Sequence, residues 1–215
     1  VYFSGIYTIK SLVENDSVLI FYIKRFMKIY PMLLLSIIFV VILGAFVTTL
    51  PLKEYFLHSG TKAYIVNNIL EIQNEHFLPG VFQEHENSGL NGSLWFITFQ
   101  VRIYLIMGIF KSMHLFDEKL SGSIILLILM IWSMIRPETL PIIGSNMLLY
   151  GNEVFPQYVI TFALGGVVYL NLPFLQVKFR HVLLMIILCV VIKDYHFALA
   201  CWAIMSVLFA LWLGT

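Results

Sequence analysis

The segment IYPMLLLSIIFVVILGAFVTTL, residues 29–50, contains no Asp, Glu, Lys, Arg or His. About 20 consecutive apolar residues form a helix long enough to cross the hydrocarbon core of a bilayer. Within that core every backbone N–H and C=O needs an internal partner, which a helix supplies. The segment therefore predicts a transmembrane helix and an all-α fold.

The composition of the whole chain agrees with a membrane protein. The 215 residues are 60% hydrophobic and 12% charged, whereas a soluble domain is about 45–50% apolar and about 25% charged. The formal net charge of +1 argues against a nucleic-acid partner. Cys189 and Cys201 lie in apolar runs without zinc or redox spacing, so we expect buried hydrophobic roles and no metal.

Further apolar segments predict further spans. They cover residues 94–110, 121–135, 155–170, 177–192 and 197–213, with a partial span at 1–9. The Gly165–Gly166 pair is suited to close helix packing. We expect a single domain over residues 1–215, a polytopic helical bundle of about six spans plus a partial one. The chain has no initiator methionine and closes inside an apolar run, so we expect it to be incomplete at both ends.

The basic residues of the expected loops divide unequally between the two sides of the membrane. One set comprises Lys10, Lys24, Arg25, Lys28, Lys111, Lys119, Lys178 and Arg180, and the alternate set comprises Lys53, Lys62, Arg136 and Lys193. The larger set is expected on the cytoplasmic side. This places the outer loop, residues 51–90, outside, with Tyr55, Tyr64, Phe77 and Phe82 at the membrane interface. A loop of this length is expected to be functional.

A basic segment, FYIKRFMKIYP at residues 21–31, lies at the inner mouth of the first long span. Arg25 and Lys28 are three residues apart, so they share a helix face. Paired cations on one face can hold an anionic ligand such as a phosphate. A positive-inside anchor bound to lipid headgroups is the alternative, and the residues alone leave both open.

The segment NGSLWFITFQ, residues 91–100, carries polar groups into an apolar run. An Asn–Gly turn precedes Ser93, which is suited to cap a helix. Trp95 fits the aromatic belt, while Gln100 and Arg102 lie deeper. On a helix that starts near Ser93, Trp95 and Arg102 share a face, and Gln100 points away from both. Ionisable groups inside a span indicate a functional site, and a structural clamp between helices is the alternative.

Six histidines are present, and none has a metal-ligand partner at helical spacing. His76 and His85 flank an LPG turn at residues 78–80 and could coordinate a ligand. Solvated loop histidines are the simpler interpretation. The chain contains no GxSxG, Walker or HExxH motif.

Taken in order, the motifs resemble the acyltransferase-3 family of integral membrane acyltransferases. They are SG at residues 4–5, KRFMKIYP at 24–31, YIVNN at 64–68, FLPGVF at 77–82 and NGSLW at 91–95. The family's pattern is roughly SG, then R-x-x-R-I-x-P, then N, LPGVF and NGSLWTLxxE. The resemblance covers about the first half of the chain, and the later spans agree only in hydropathy.

The resemblance implies an enzyme that moves an acyl group, usually acetyl, from acyl-CoA to a hydroxyl of a cell-surface polysaccharide or glycolipid. Arg25 and Lys28 fall on the arginine motif and would bind the phosphates of coenzyme A. The candidate catalytic positions on the last motif are Asn91, Ser93, Trp95 and Gln100. Membrane lipid and a surface sugar would be the partners of a multi-pass protein in the bacterial inner membrane.

The chain departs from the family's pattern at three points. Lys28 replaces the second arginine and loses its bidentate fork. Gln100 replaces a glutamate and cannot act as a carboxylate base. The family's catalytic histidine lies upstream of the SG element, so we expect this chain to lack its general base and to be inactive if it is the whole product.

A transporter or flippase subunit for a lipid-linked polysaccharide precursor is the alternative from another class. The Arg25–Lys28 pair would then hold a lipid pyrophosphate. A histidine buried in a span just upstream of Val1 would favour the enzyme.

Overall fold

The computed structural model describes residues 1–15, 17–70, 74–84, 89–136, 154–171, 178–191, 201–202, 204–209 and 212. The regular elements within these ranges are all helices, which confirms the all-α prediction. They are α1 (Tyr2–Glu14), α2 (Val18–Val47), α3 (Leu52–Leu57), α4 (Ser59–Ile69), α5 (Leu94–Ser112), α6 (Lys119–Ile135), α7 (Val154–Asn171) and α8 (Phe179–Val191).

Two of the described helices, α2 and α5, are long and apolar enough to cross a membrane. The 30 residues of α2 extend over about 45 Å at about 1.5 Å per residue. Its large apolar side chains are mostly exposed, as Met32 at 69% and Phe46 at 84% illustrate. Such a surface suits lipid rather than water. The two helices favour a membrane protein, and the six crossings stay a prediction.

Helix α2 begins earlier than predicted. The expected span began at residue 29, with Lys24, Arg25 and Lys28 in the loop before it, and this placement is wrong because α2 begins at Val18. The three cations lie on the helix itself. Pro31 is inside the same helix, where it removes one backbone hydrogen bond without ending the run.

By backbone proximity the described chain divides into two compact units, Tyr22–Leu105 and Val1–Phe21 with Ile106–Thr215. In the latter, α7 packs against both α1 and α6. Side chains at Gly5 and Gly165 would collide with the carbonyls of Phe162 and Tyr2 respectively. The expectation of close packing at the Gly165–Gly166 pair is confirmed, since small residues let helix backbones approach.

The unit Tyr22–Leu105 has a core that includes the buried side chains along one face of α2. Its buried members are Leu33, Ile37, Val41, Tyr55, Tyr64, Leu78, Val81 and Leu94. Tyr55 and Tyr64 are 0% exposed, so their predicted place at the membrane interface is wrong. The Tyr55 hydroxyl donates to the Val41 carbonyl over 3.0 Å, because α3 folds back onto α2. Phe77 and Phe82 are exposed.

The LPG turn is fastened to the end of α2. The Thr48 hydroxyl donates to the Pro79 carbonyl over 2.8 Å, and the Thr49 N–H donates to the Gly80 carbonyl over 2.9 Å. Gly80 has φ +71°, and a Cβ there would lie 2.5 Å from the Thr48 hydroxyl oxygen. Glycine is therefore the residue that fits this turn.

Candidate functional site

A cavity of about 220 Å³ lies beside Arg25. Its walls come from α2 and α5 and are formed by Tyr22, Arg25, Phe26, Ile29, Tyr30, Val101, Tyr104 and Leu105. The Arg25 guanidinium carbon is 5.4 Å from the centre of the Tyr104 ring, within the range of a cation–π contact. The Tyr22 hydroxyl donates to the Leu105 carbonyl over 2.9 Å and ties the two helices together at this level.

Arg25 and Lys28 have different surroundings. Arg25 is 8% exposed, whereas Lys28 is exposed and does not line the cavity. A buried cation is costly unless polar or aromatic groups compensate it, and Tyr104 contributes to that compensation. The structure therefore brings one member of the predicted cation pair to the cavity and leaves the other at the surface.

A second polar site forms around Asn91, where the chain enters α5. The Asn91 side-chain amide donates to the Ser36 hydroxyl of α2 over 2.7 Å. The Ser93 hydroxyl donates to the Asn91 side-chain oxygen over 3.0 Å. Asn91 has φ +55°, a left-handed conformation that asparagine tolerates better than most residues. Asn91 thus links the middle of α2 to the start of α5.

Two buried titratable residues, Tyr64 and His76, lie close to Asn91. Burial raises the pKa of Tyr64 to about 12, and the nearby Asn91 side chain opposes that shift. His76 is 5% exposed. Burial lowers the pKa of His76, while the Asn91 backbone and the Glu75 charge act in the opposite direction. Both shifts favour the neutral side chains at neutral pH.

The interpretation of the histidines as solvated loop residues is wrong for His76. His85, the other histidine that flanks the LPG turn, lies outside the described residues. No local sequence period marks His76 as buried. The signal was its place directly before the FLPGVF motif, since that segment packs onto α2.

The remaining predicted residues lie along α5, which begins at Leu94, close to the predicted start at Ser93. Trp95, Gln100 and Arg102 are all half-buried. Trp95 meets Phe96 edge-on, with ring centroids 5.8 Å apart. None of the three lines the cavity beside Arg25. Tyr104 was not predicted, although it lines that cavity and its ring contacts the Arg25 guanidinium.

The two sites occupy different levels of α2. Ser36 is 11 residues beyond Arg25, so about 16 Å of helix separates them at about 1.5 Å per residue. The Arg25 cavity offers one cation among aromatic walls, which suits an anionic group attached to an apolar body. The Asn91 site offers neutral donors and acceptors. Within the described residues, no group of three or more His, Cys, Asp or Glu side chains is arranged to hold a metal ion.

No protein-family model, curated protein or solved structure matches this chain. A functional assignment therefore rests on the motifs and on the geometry of the two sites.

Proposed function

We propose that the chain is an integral membrane O-acyltransferase of the acyltransferase-3 type. It would transfer an acyl group, with acetyl expected, from acyl-CoA to a hydroxyl of a cell-surface polysaccharide or glycolipid. The proposal includes a multi-pass arrangement in the bacterial inner membrane. The observation that carries it is Arg25, which is 8% exposed beside an aromatic cavity and falls on the motif to which the resemblance assigns donor binding.

The cavity favours a donor with both charged and apolar parts. Its volume of about 220 Å³ is below the range of about 300–1,000 Å³ that is usual for whole small-molecule sites, so it would hold only part of acyl-CoA. Aromatic walls suit the acyl and pantetheine portion, and Arg25 can donate to an adjacent phosphate. The exposed Lys28, on the same helix, would reach phosphates outside the cavity.

The Asn91 site would serve the acceptor side. Asn91 is held by Ser36 and Ser93, so its orientation is fixed before a ligand arrives. Trp95 would shape the acceptor path, and Gln100 would have a structural role. The resemblance places the general base upstream of the SG element, so none of residues 1–215 is assigned that role.

A transfer assay tests the proposal. Membranes that contain the full-length protein would be incubated with acetyl-CoA labelled in the acetyl group, and label in alkali-labile esters of the surface glycan would be counted. Arg25→Ala should lower transfer at subsaturating acetyl-CoA at least about 10-fold, the effect of one charge-assisted hydrogen bond. Arg136→Ala, which changes an exposed arginine at the end of α6, is the matched control. Equal transfer by both variants would remove Arg25 from the donor site.

A further inference from the structure

A cleft of about 410 Å³ lies between the start of α4 and the segment 77–80. It shares no lining residue with the cavity beside Arg25. Four of its residues carry recognisable binding chemistry, namely His58, Glu75, Phe77 and Gln83. The volume falls within the range of about 300–1,000 Å³ that is usual for small-molecule sites.

Glu75 is held in place by two asparagines of the YIVNN motif. The Asn67 amide donates to the Glu75 carboxylate over 3.0 Å. Asn68 is 2% exposed, and its side chain binds both the N–H and the carbonyl of Glu75, each over 3.0 Å. A carboxylate has about four acceptor positions, of which Asn67 occupies one. The motif thus presents a fixed carboxylate with capacity for further hydrogen bonds.

The other walls offer complementary groups. Phe77 is 56% exposed, so its ring is available to a ligand. The His58 Nδ1 accepts the Gly60 N–H over 3.0 Å, and this bond selects the tautomer that carries its hydrogen on Nε2. Pro79 and Gly80, which also line the cleft, are held in place by hydrogen bonds from Thr48 and Thr49.

We infer that this cleft binds a single pyranose ring, with Phe77 against the apolar C–H face and Glu75, His58 and Gln83 on the hydroxyl groups. A purely apolar ligand would leave the remaining acceptor positions of the Glu75 carboxylate without water or a partner, which is costly. An anionic ligand would be repelled by the same charge. A ring with hydroxyls at its edge and an apolar face can bond to the polar side chains of the cleft and pack against Phe77 at the same time. The ring's role as the acyl acceptor rests on the proposed function, whereas the binding chemistry does not.

Saturation-transfer NMR on the full chain in lipid nanodiscs tests the inference. The probes are methyl α-D-glucopyranoside, methyl α-D-galactopyranoside and methyl N-acetyl-β-D-glucosaminide, with choline as a cationic comparison. We expect at least one sugar to receive saturation, mainly on the protons of one ring face. Glu75→Gln keeps the acceptor for Asn67 but removes the charge, and it should weaken that sugar's binding about 10-fold. Phe77→Ala should have a similar effect.

Matched controls separate site effects from damage to the fold. Glu84→Gln changes an exposed carboxylate outside the cleft, and Phe46→Ala changes a phenylalanine that is 84% exposed on α2. Both should leave sugar binding unchanged. Binding of none of the three sugars, equal binding by Glu75→Gln and wild type, or Glu75-dependent binding of choline alone would each overturn the inference.

The same variants distinguish this inference from the proposed function. Sugar binding that depends on Glu75 in a protein without acetyl transfer would leave the cleft standing and remove the acyltransferase. Acetyl transfer that Glu75→Gln leaves unchanged would keep the enzyme and remove the cleft as the acceptor site.

Discussion

Arg25 is buried because of its place in a stripe that runs along α2 at four-residue spacing. The stripe continues through Leu33, Ile37 and Val41, and residues four apart lie on nearly the same side of a helix. Lys28 is rotated about 60° from Arg25 on this geometry and is exposed. A cation placed in an apolar stripe costs stability, and such a residue is retained where function needs it.

This reasoning gives a prediction at Arg25 that separates stability from function. Arg25→Met replaces the cation by an apolar side chain of similar length, so the apparent Tm in detergent should stay equal or rise while acyl-CoA binding weakens. The Tm is measured by heating the protein while the exposure of its buried side chains is monitored. Arg136→Met is the control. A large fall in Tm for Arg25→Met alone would show that the guanidinium holds the fold together.

His76 predicts a dependence of stability on pH. Burial lowers its pKa below the usual 6.5, so between these two values the unfolded chain binds more protons than the folded chain. Stability should therefore fall as the pH drops through about 6.5 and should rise again with pH. Comparing denaturation midpoints at about pH 7 and about pH 5 measures the loss.

Substitution of His76 by glutamine isolates its contribution to the pH dependence of stability. His76→Gln should reduce the difference between the two midpoints. An unchanged difference in His76→Gln would assign the pH dependence to another group.

At the scale of elements, α7 depends on a glycine that faces two neighbours. A Cβ on Gly166 would lie 2.7 Å from both Ile9 of α1 and Leu126 of α6. Overpacking of this kind costs about 1–3 kcal/mol. Gly166→Val should therefore lower the free energy of unfolding by that amount in mixed micelles. Gly92→Ala, where no atom lies within 4 Å of the added Cβ, should change it little, and equal losses would contradict the packing account.

The elements that the sequence predicted correctly are those with long apolar runs. The cores of α2, α5, α6 and α7 were predicted on length and composition, and the Gly165–Gly166 contact was predicted from residue size. Helices α3 and α4 were missed, because they are short and contain exposed charges such as Lys53, Glu54 and Lys62. Their amphipathic faces are visible only after they fold against α2.

The candidate sites were predicted only in part, because some of their residues are brought together by contacts that no local sequence pattern encodes. Asn91 and Arg25 were found through their motifs. The burial of Tyr64 and His76 depends on contacts with residues far along the chain, such as the approach of Asn91 to both. No local pattern encodes such contacts. Tyr104 was missed because an aromatic residue in an apolar helix has the same sequence signal whether it faces lipid or a cavity.

At the scale of the whole molecule, most of the exposed large apolar side chains among the described residues lie on helices. On α8 the exposed large residues include Leu184 at 60% and Val190 at 79%. Water would penalise such a surface by about 25 cal/mol per Å², and a bilayer would not. This distribution supports the proposed membrane setting.

The charge distribution predicts the orientation. In a background with Cys189→Ala and Cys201→Ala, Lys53→Cys and Lys62→Cys should react with an impermeant thiol reagent in intact cells, and Lys24→Cys should react only after the membrane is opened. All three lysines are exposed, so access to the reagent depends on the side of the membrane. Labelling at position 24 but not at 53 in intact cells would reverse the orientation.

The central claim is that the cavity beside Arg25 holds part of acyl-CoA, and a calorimetric titration of the purified protein with acetyl-CoA tests it most directly. Binding requires no general base, so the result does not depend on turnover. A charge-assisted hydrogen bond contributes about 1.5–3 kcal/mol, which corresponds to about 10-fold to 160-fold in affinity. The account predicts saturable binding that Arg25→Ala weakens by that factor and Arg136→Ala leaves unchanged. No binding by the wild-type protein, or equal affinity in Arg25→Ala, would contradict it.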